Sequence, residues 1–365
     1  MANGAPLRTR LLRPDEIGPR EGERWQSLAA RAAEPNPFLE RELLEPAFGR
    51  VATSSRLLVV EQDGEWRACL PVERQRRWGR LPLPCLVGSR HSYAYLGTPL
   101  VAAGEIDATV QALLAASLAA RCAVLVLPWI DVSGPVYAAF LRVLGRAGTG
   151  VLRADGFERA ALQRGVDDDY IDRAKSPKHV RNLTRQRRTL ERAAGAPIAC
   201  VDRSADPTAP AEFLALEATG WKGRNGTAMA CDPAHGAWFE QICASMRAAG
   251  RLQMLALEAN GSTLAMKCNL VADEGAFCFK IAHDEQYARH SPGVLLEVDA
   301  VHCFHEQGRL QWMDSCAEPT NAMINGLWPD RRRLATVLLP THGWLGRAMT
   351  PLLRIPSRHD RSAKR

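Results

Sequence analysis

The sequence predicts an α/β protein made of two copies of one fold, tandem lobes in which a mixed β-sheet is flanked by helices. Three observations lead there. Residues 56–72 read as a hairpin turning at Asp63-Gly64, and residues 251–266 repeat the pattern around Asn260-Gly261. Asp-Gly and Asn-Gly are the pairs selected by a two-residue turn with positive φ at both positions. Each hairpin is followed by the same succession of strand, loop, helix and strand. The two turns lie more than half the chain apart, too far for a solenoid period, and 365 residues suffice for two cores.

In chain order, residues 25–48 carry helical periodicity broken by Pro35 and Pro37. After the first hairpin a strand is expected over 93–96, meeting Gly97-Thr98-Pro99, then a helix over 106–120 and a strand over 122–127. Between the copies runs the most basic segment, with Arg181, Arg185, Arg188 and Arg192 on one face of a helix and Val180, Leu183 and Leu190 on the other. Residues 211–227 read as a helix ending in Trp221-Lys222-Gly223-Arg224, beside a glycine-rich loop. In the second copy a strand over 276–282 leads through residues 283–290 to Ser291-Pro292-Gly293, a helix over 294–305 and a short strand over 310–314. Ser at the N-cap with Pro at the first helical position is a helix-start signal. The helix N-terminus behind it offers unpaired N–H groups and the positive end of the dipole to an anion, and Gly293 permits close approach. The first copy lacks this basic and polar lead-in, so a ligand is expected in the second alone. The lobes are placed at 1–165 and 166–340, with a basic tail at 341–365.

Composition narrows the classes. The chain is 46% hydrophobic and 24% charged, as in globular proteins rather than disordered ones. A net charge of +7 and pI near 9.0 favour an anionic partner: coenzyme phosphates, RNA or an acidic membrane surface. Ten cysteines without a C-x-x-C pair, mostly inside apolar runs, speak for reduced thiols and against a disulfide framework or zinc site. No metal is expected. The first residues lack the apolar centre of a signal peptide, and no apolar run reaches the roughly 20 residues of a membrane span. The expected location is the cytoplasm, with any membrane association peripheral. For such association the sequence offers Trp344, Leu345, Met349, Leu352 and Leu353 interspersed with Arg347 and Arg354 in the tail.

Three motifs carry a family resemblance: Leu216-Glu217-Ala218-Thr219-Gly220-Trp221-Lys222-Gly223-Arg224, then residues 279–296 from Phe279-Lys280 through Ser291-Pro292-Gly293, then residues 308–314 followed by Leu327-Trp328. Together they resemble the CelD-like branch of the GNAT acyltransferases, double-GNAT proteins related in architecture to the Fem-type peptidyltransferases. The resemblance covers residues 166–339 well and the first half loosely. One departure is Arg289-His290-Ser291-Pro292-Gly293 where the family usually has Q/R-x-x-G-x-G/A. The resemblance implies tandem GNAT-like lobes and an N-acyltransferase that moves an acyl group from a coenzyme A thioester to a primary amine. The acceptor would be a lipid amine such as a long-chain base, giving a ceramide-type product, an envelope precursor or a sugar amine. The alternatives are a Fem-type transferase using aminoacyl-tRNA and a catalytically silent scaffold in envelope polysaccharide assembly.

The chemistry assigns roles by residue type. Acceptor deprotonation calls for a carboxylate, with Asp284 and Asp314 ahead of Glu217 because both follow strand ends. Tyr287 is the candidate acid for the departing thiolate. Donor phosphates are expected at Ser291, Pro292 and Gly293, with Arg289 and Lys280 as nearby cations. Trp221, Lys222, Gly223 and Arg224 are expected on the acceptor side.

Overall fold

The computed structural model describes residues 5–52 and 56–341. They fall into two compact units, one comprising residues up to Glu158 and from Arg333 on, the other Arg159–Arg332. The passage between lobes, expected near residue 165, therefore lies within a strand. Of the basic tail at 341–365, residues 342–365, with the apolar and basic side chains suited to a membrane surface, lie outside the described residues. Among the described residues no helix is long and apolar enough to cross a membrane.

The first unit begins with β1 (Arg8–Leu12), α1 (Pro19–Ala29) and α2 (Arg41–Leu44), followed by the hairpin of β2 (Arg56–Gln62) and β3 (Glu65–Gln75). Asp63 and Gly64 both have positive φ, which explains the Asp-Gly pair. Then come β4 (Cys85–Gly88), β5 (Leu100–Val101), α3 (Ile106–Ala119), β6 (Val124–Asp131) and α4 (Pro135–Arg146). Residues 93–96 form no strand, contrary to expectation. The buried Asn36 side chain donates to the carbonyls of Leu96 and Thr98, at 3.2 and 2.7 Å, and the Tyr95 ring packs edge-on against Phe38. A side chain thus takes the bonds that a neighbouring strand would supply. The strand directly before α3 is the short β5, which pairs with β3, while β4 is the one that pairs with β6.

β7 (Leu152–Gln163) carries the chain into the second unit. There follow α5 (Tyr170–Ala174), the basic α6 (Pro177–Ala194), β8 (Ala199–Asp202), α7 (Ala209–Thr219), α8 (Trp221–Arg224), α9 (Pro233–Ala248) and the hairpin of β9 (Leu252–Ala259) and β10 (Ser262–Ala272). Its turn, Asn260-Gly261, also has two positive φ values. β11 (Gly275–His283), α10 (Pro292–Gln307), β12 (Trp312–Asp314) and α11 (Ala322–Asn325) complete the unit. The last strand, β13 (Asp330–Pro340), leaves it and pairs antiparallel with β6. The second-lobe range expected at 166–340 thus ends with a strand that serves the first unit.

Strand order in the first unit is β1-β2-β3-β4-β6-β13, and in the second β7-β12-β11-β10-β9-β8. The shared part has the same sense in both. β2, β3 and β4 run antiparallel and β4 pairs parallel with β6; β9, β10 and β11 run antiparallel and β11 pairs parallel with β12. Tandem lobes of one topology, each a mixed sheet flanked by helices, are therefore present. In the second unit Leu190 of α6 and Leu295, Leu296 and Ala300 of α10 pack on Leu255, Leu257 and Leu264. Phe239 of α9 stacks on Phe279, with its centroid 6.0 Å away, and Trp238 meets the same ring edge-on.

Candidate functional site

The site is built where β11 outruns its neighbour. β12 pairs with β11 over Gly275, Ala276 and Phe277, and β12 then ends at Asp314, while β11 continues to His283. Asp284 caps the following 3₁₀ segment Glu285–His290 by accepting from the Gln286 N–H at 2.8 Å. Ser291 takes a left-handed conformation (φ 57, ψ 50) that few non-glycine residues adopt, and α10 starts at Pro292. The expected helix start is present but differs in its cap: the Ser291 side chain makes no capping bond. Pro292 has no N–H, and Gly293, at the second helical position, has no intrahelical acceptor. Gly293 faces the strand end, for a Cβ there would lie 3.7 Å from His283 Nδ1 and from Ile281 Cδ1. A strand edge left unpaired beside an uncapped helix N-terminus can hold an anion and an extended chain together.

Residues 177–321 match the family described as acetyltransferase (GNAT) domain. The second unit carries a GNAT-like domain. No curated protein matches the sequence. Among the solved structures that resemble nearly the whole chain are two of similar fold. One is the C-terminal domain of a protein provisionally assigned as a lysylphosphatidylglycerol synthetase from Agrobacterium fabrum, with 12% identity over 91% of this chain and 94% of that one, TM-score 0.54. The other is FemX, with 11% identity over 90% and 98%, TM-score 0.51. At these identities the likeness is one of fold.

In the same unit α7 and α8 bring the residues expected on the acceptor side to β11. The helix expected over 211–227 is broken: Gly220 is extended (φ −82, ψ −173), and α8 starts afresh at Trp221. The break folds Lys222 back onto the last turn of α7, where its Nζ donates to Glu217 Oε1 at 2.8 Å. Glu217 Oε2 accepts from the Met229 N–H at 2.8 Å, and Lys280 Nζ of β11 lies 3.8 Å from Oε1. Burial alone raises the Glu217 carboxyl, but the two ammoniums and the hydrogen bonds outweigh it and hold the group below the usual carboxylate range. Burial pushes the Lys280 ammonium down, and Glu217 opposes that shift. Glu217, Lys222, Trp221, Gly220, Ile281, His283 and Glu285 surround a cleft of about 30 Å³. Ile281 and His283 are also the neighbours of Gly293, so the cleft adjoins the helix N-terminus.

Gly223 serves close packing. A Cβ on Gly223 would sit 1.8 Å from the Ala218 carbonyl oxygen. Glu285 holds α8 from the other side, accepting from the Trp221 N–H and from Arg224 Nη2, both at 2.9 Å. Trp221 remains 51% exposed.

The other sequence candidates separate. Asp314 is wholly buried, 2.6 Å from Arg159 Nε and 2.8 Å from Arg332 Nη1, and also accepts from the Cys316 N–H at 2.9 Å. Burial raises its carboxyl, and the two guanidiniums more than reverse this, keeping it ionised below its ordinary range. Its oxygens are occupied in fixing the end of β12. Asp284 closes the turn after β11. Tyr287 lays its ring against the Leu190–Leu295–Leu296 cluster beside Ile281. Arg289 is exposed and donates to His290 Nε2 at 3.0 Å. Arg181, Arg185, Arg188 and Arg192 are exposed along α6, as its spacing predicts.

Sequence reasoning missed Arg159, Arg332, Glu285 and the buried pair of Lys267 and Glu297. That pair, 2.6 Å apart, ties β10 to the second turn of α10. Arg159 and Asp314 lie 155 positions apart, and no local pattern joins them.

Proposed function

We propose that the chain is an N-acyltransferase that moves an acyl group from acyl-coenzyme A to a primary amine, in the manner of CelD-like GNAT proteins. The observation that carries this reading is the end of the β11–β12 ladder at Phe277 beside the uncapped N-terminus of α10. The donor's pyrophosphate lies against Gly293, with Ser291 and Pro292 shaping the turn and Arg289 nearby. Its pantetheine arm runs along β11 beyond the end of β12, and a backbone N–H of β11 beyond Phe277 stabilises the oxyanion of the tetrahedral intermediate. Of the three candidate carboxylates, Glu217 is the one lining the cleft, so it receives the acceptor amine in place of Lys222 and takes its proton. Lys280, its ammonium weakened by burial, is the second proton-handling group, and Tyr287 is the proposed acid for the thiolate. A cleft of about 30 Å³ holds a single water, so acceptor entry shifts α8. The acceptor is an amine of lipid or envelope-precursor type.

A charged-tRNA donor is the second reading, favoured by the exposed arginine row of α6, which packs against the 3₁₀ segment leading to α10. Incubation with radiolabelled acyl-coenzyme A plus long-chain amines, and separately with aminoacyl-tRNA, separates the two. Thiol release with amine-dependent product supports the first reading. Transfer from tRNA alone, lost when the four arginines become glutamines, replaces it with the second. Transfer from neither refutes both.

A further inference from the structure

The exposed face of α6 carries charge that the described residues do not balance. The helix holds six cations, Lys178, Arg181, Arg185, Arg187, Arg188 and Arg192, against one acid, Glu191. Arg187 is engaged by the body, with Nη1 donating to the Ile198 carbonyl at 3.3 Å and Nη2 pairing with Asp299 of α10. The other five are exposed at spacings of three and four residues, a straight stripe of roughly 21 Å at 1.5 Å rise per residue. Among the described residues four of their side chains make no ion pair or hydrogen bond, and Arg185 reaches only the Asn182 side chain, at 2.8 Å. Elsewhere surface arginines find carboxylates, as Arg142 and Arg146 do in Asp107, and Arg203 in Asp206, Glu212 and Glu258. Like charges one turn apart destabilise a helix, and Lys178 adds a cation to its positive end. Such a stripe takes its counter-charge from outside.

The stripe borders the proposed donor site. Leu190, between Arg188 and Arg192, packs with Leu295 and Leu296 of α10, and Tyr287 of the 3₁₀ segment lies against the same cluster. The hydrogen-bonding capacity of that helix start is small. Pro292 has no N–H, and the Val294 and Leu295 N–H groups are spent on the Ser291 carbonyl, at 3.0 and 3.2 Å. Of the first four helical residues only Gly293 keeps an open N–H. Coenzyme A brings a pyrophosphate and a ribose phosphate. The same pantetheine arm on a carrier protein brings a single phosphodiester, which one N–H matches.

We infer that α6 docks an acidic carrier protein whose 4′-phosphopantetheine arm presents the acyl thioester to the transfer site. The inference rests on the proposed thioester transfer and names the form in which its donor arrives. Carboxylates of the carrier pair with Arg181, Arg185, Arg188 and Arg192, the single phosphate meets Gly293, and the arm follows β11. Neither RNA nor a membrane surface brings acidic groups and a pantetheine arm together. In the transfer the amine nitrogen bonds to the acyl carbon as the carbon–sulfur bond breaks. One amine proton ends on the departing sulfur, and the carrier leaves in its free-thiol form.

The test is calorimetry of palmitoyl-coenzyme A and of a palmitoyl-loaded acidic acyl carrier protein. It uses the full chain as wild type and with Arg181→Gln, Arg185→Gln, Arg188→Gln and Arg192→Gln combined. In wild type the carrier thioester should bind tenfold or more tighter than the coenzyme A thioester, and added salt should erode that advantage. The combined variant should weaken the carrier tenfold or more while changing the coenzyme A thioester by less than about threefold. It should melt at or above wild type, because repulsion along the helix is relieved. Arg188→Glu alone repeats the comparison with a single change. Carrier binding that is no tighter than that of the coenzyme A thioester, or indifferent to the arginines, overturns the inference and leaves the donor reading standing. Binding of neither thioester overturns both. Absent carrier binding, with charged tRNA or phosphatidylglycerol vesicles bound by wild type and lost in the combined variant, assigns the stripe to that partner instead.

Discussion

At the scale of single residues, the structure separates Asp314, which holds the fold, from Glu217, which faces the cleft. Asp314 neutralises two guanidiniums out of contact with water. Asp314→Asn should therefore cost about 3–5 kcal/mol of stability, read from urea unfolding, because it leaves buried charge uncompensated. Glu217→Gln removes the charge that pairs Lys222 and Lys280, so a loss of roughly 1–3 kcal/mol is expected, with turnover lowered a hundredfold or more. Lys222→Ala removes a partner of the buried Glu217, so a loss of roughly 1–3 kcal/mol is expected together with slower transfer. Both carboxyls titrate below their ordinary values in the folded chain. On acidification the unfolded chain binds those protons first. The stability they contribute is complete above the unfolded carboxylate range near pH ~4 and lost as pH falls through the folded values. Urea midpoints should accordingly drop below about pH 4 in wild type, and by less in Asp314→Asn.

At the scale of elements, what depends on local chain geometry was legible and what depends on distant partners was not. The two hairpin turns could be read because Asp63-Gly64 and Asn260-Gly261 satisfy a backbone demand set by two residues. The start of α10 was legible from Ser291-Pro292 for the same reason, although the serine's uncapped, left-handed state was not. The arginine row of α6 followed from helical spacing. The Glu217–Lys222 contact could not follow from it: residues five apart on a continuous helix point roughly 140° apart. The break at Gly220 brings them together. Nor could the strand expected over 93–96 be excluded locally, since the Asn36 bonds that replace its ladder come from 60 and 62 positions away. Gly223→Ala tests the packing of α8: the Ala218 carbonyl leaves no room for a Cβ, so stability should fall by about 1–3 kcal/mol and Trp221 fluorescence should change. An unaltered spectrum and melting curve would contradict that packing.

At the scale of the molecule, two lobes share one strand order, yet the features on which the proposed donor site rests lie in the second. There β11 outruns β12, α10 begins without a side-chain cap and Glu217 waits across the cleft. The repeat was legible because its period exceeds any single element. The return of β13 to the first unit was not, because a strand's partner is chosen by the whole sheet. The central claim is that the N-terminus of α10 binds the donor, and calorimetry of acyl-coenzyme A with wild type and Gly293→Asp tests it most directly. A Cβ at Gly293 meets its nearest neighbours at ordinary contact distance, 3.7 Å, so the variant should melt near wild type. The carboxylate added where phosphate belongs should weaken binding tenfold or more, at least about 1.4 kcal/mol. Equal affinity in a folded Gly293→Asp protein would place the donor elsewhere and contradict the claim.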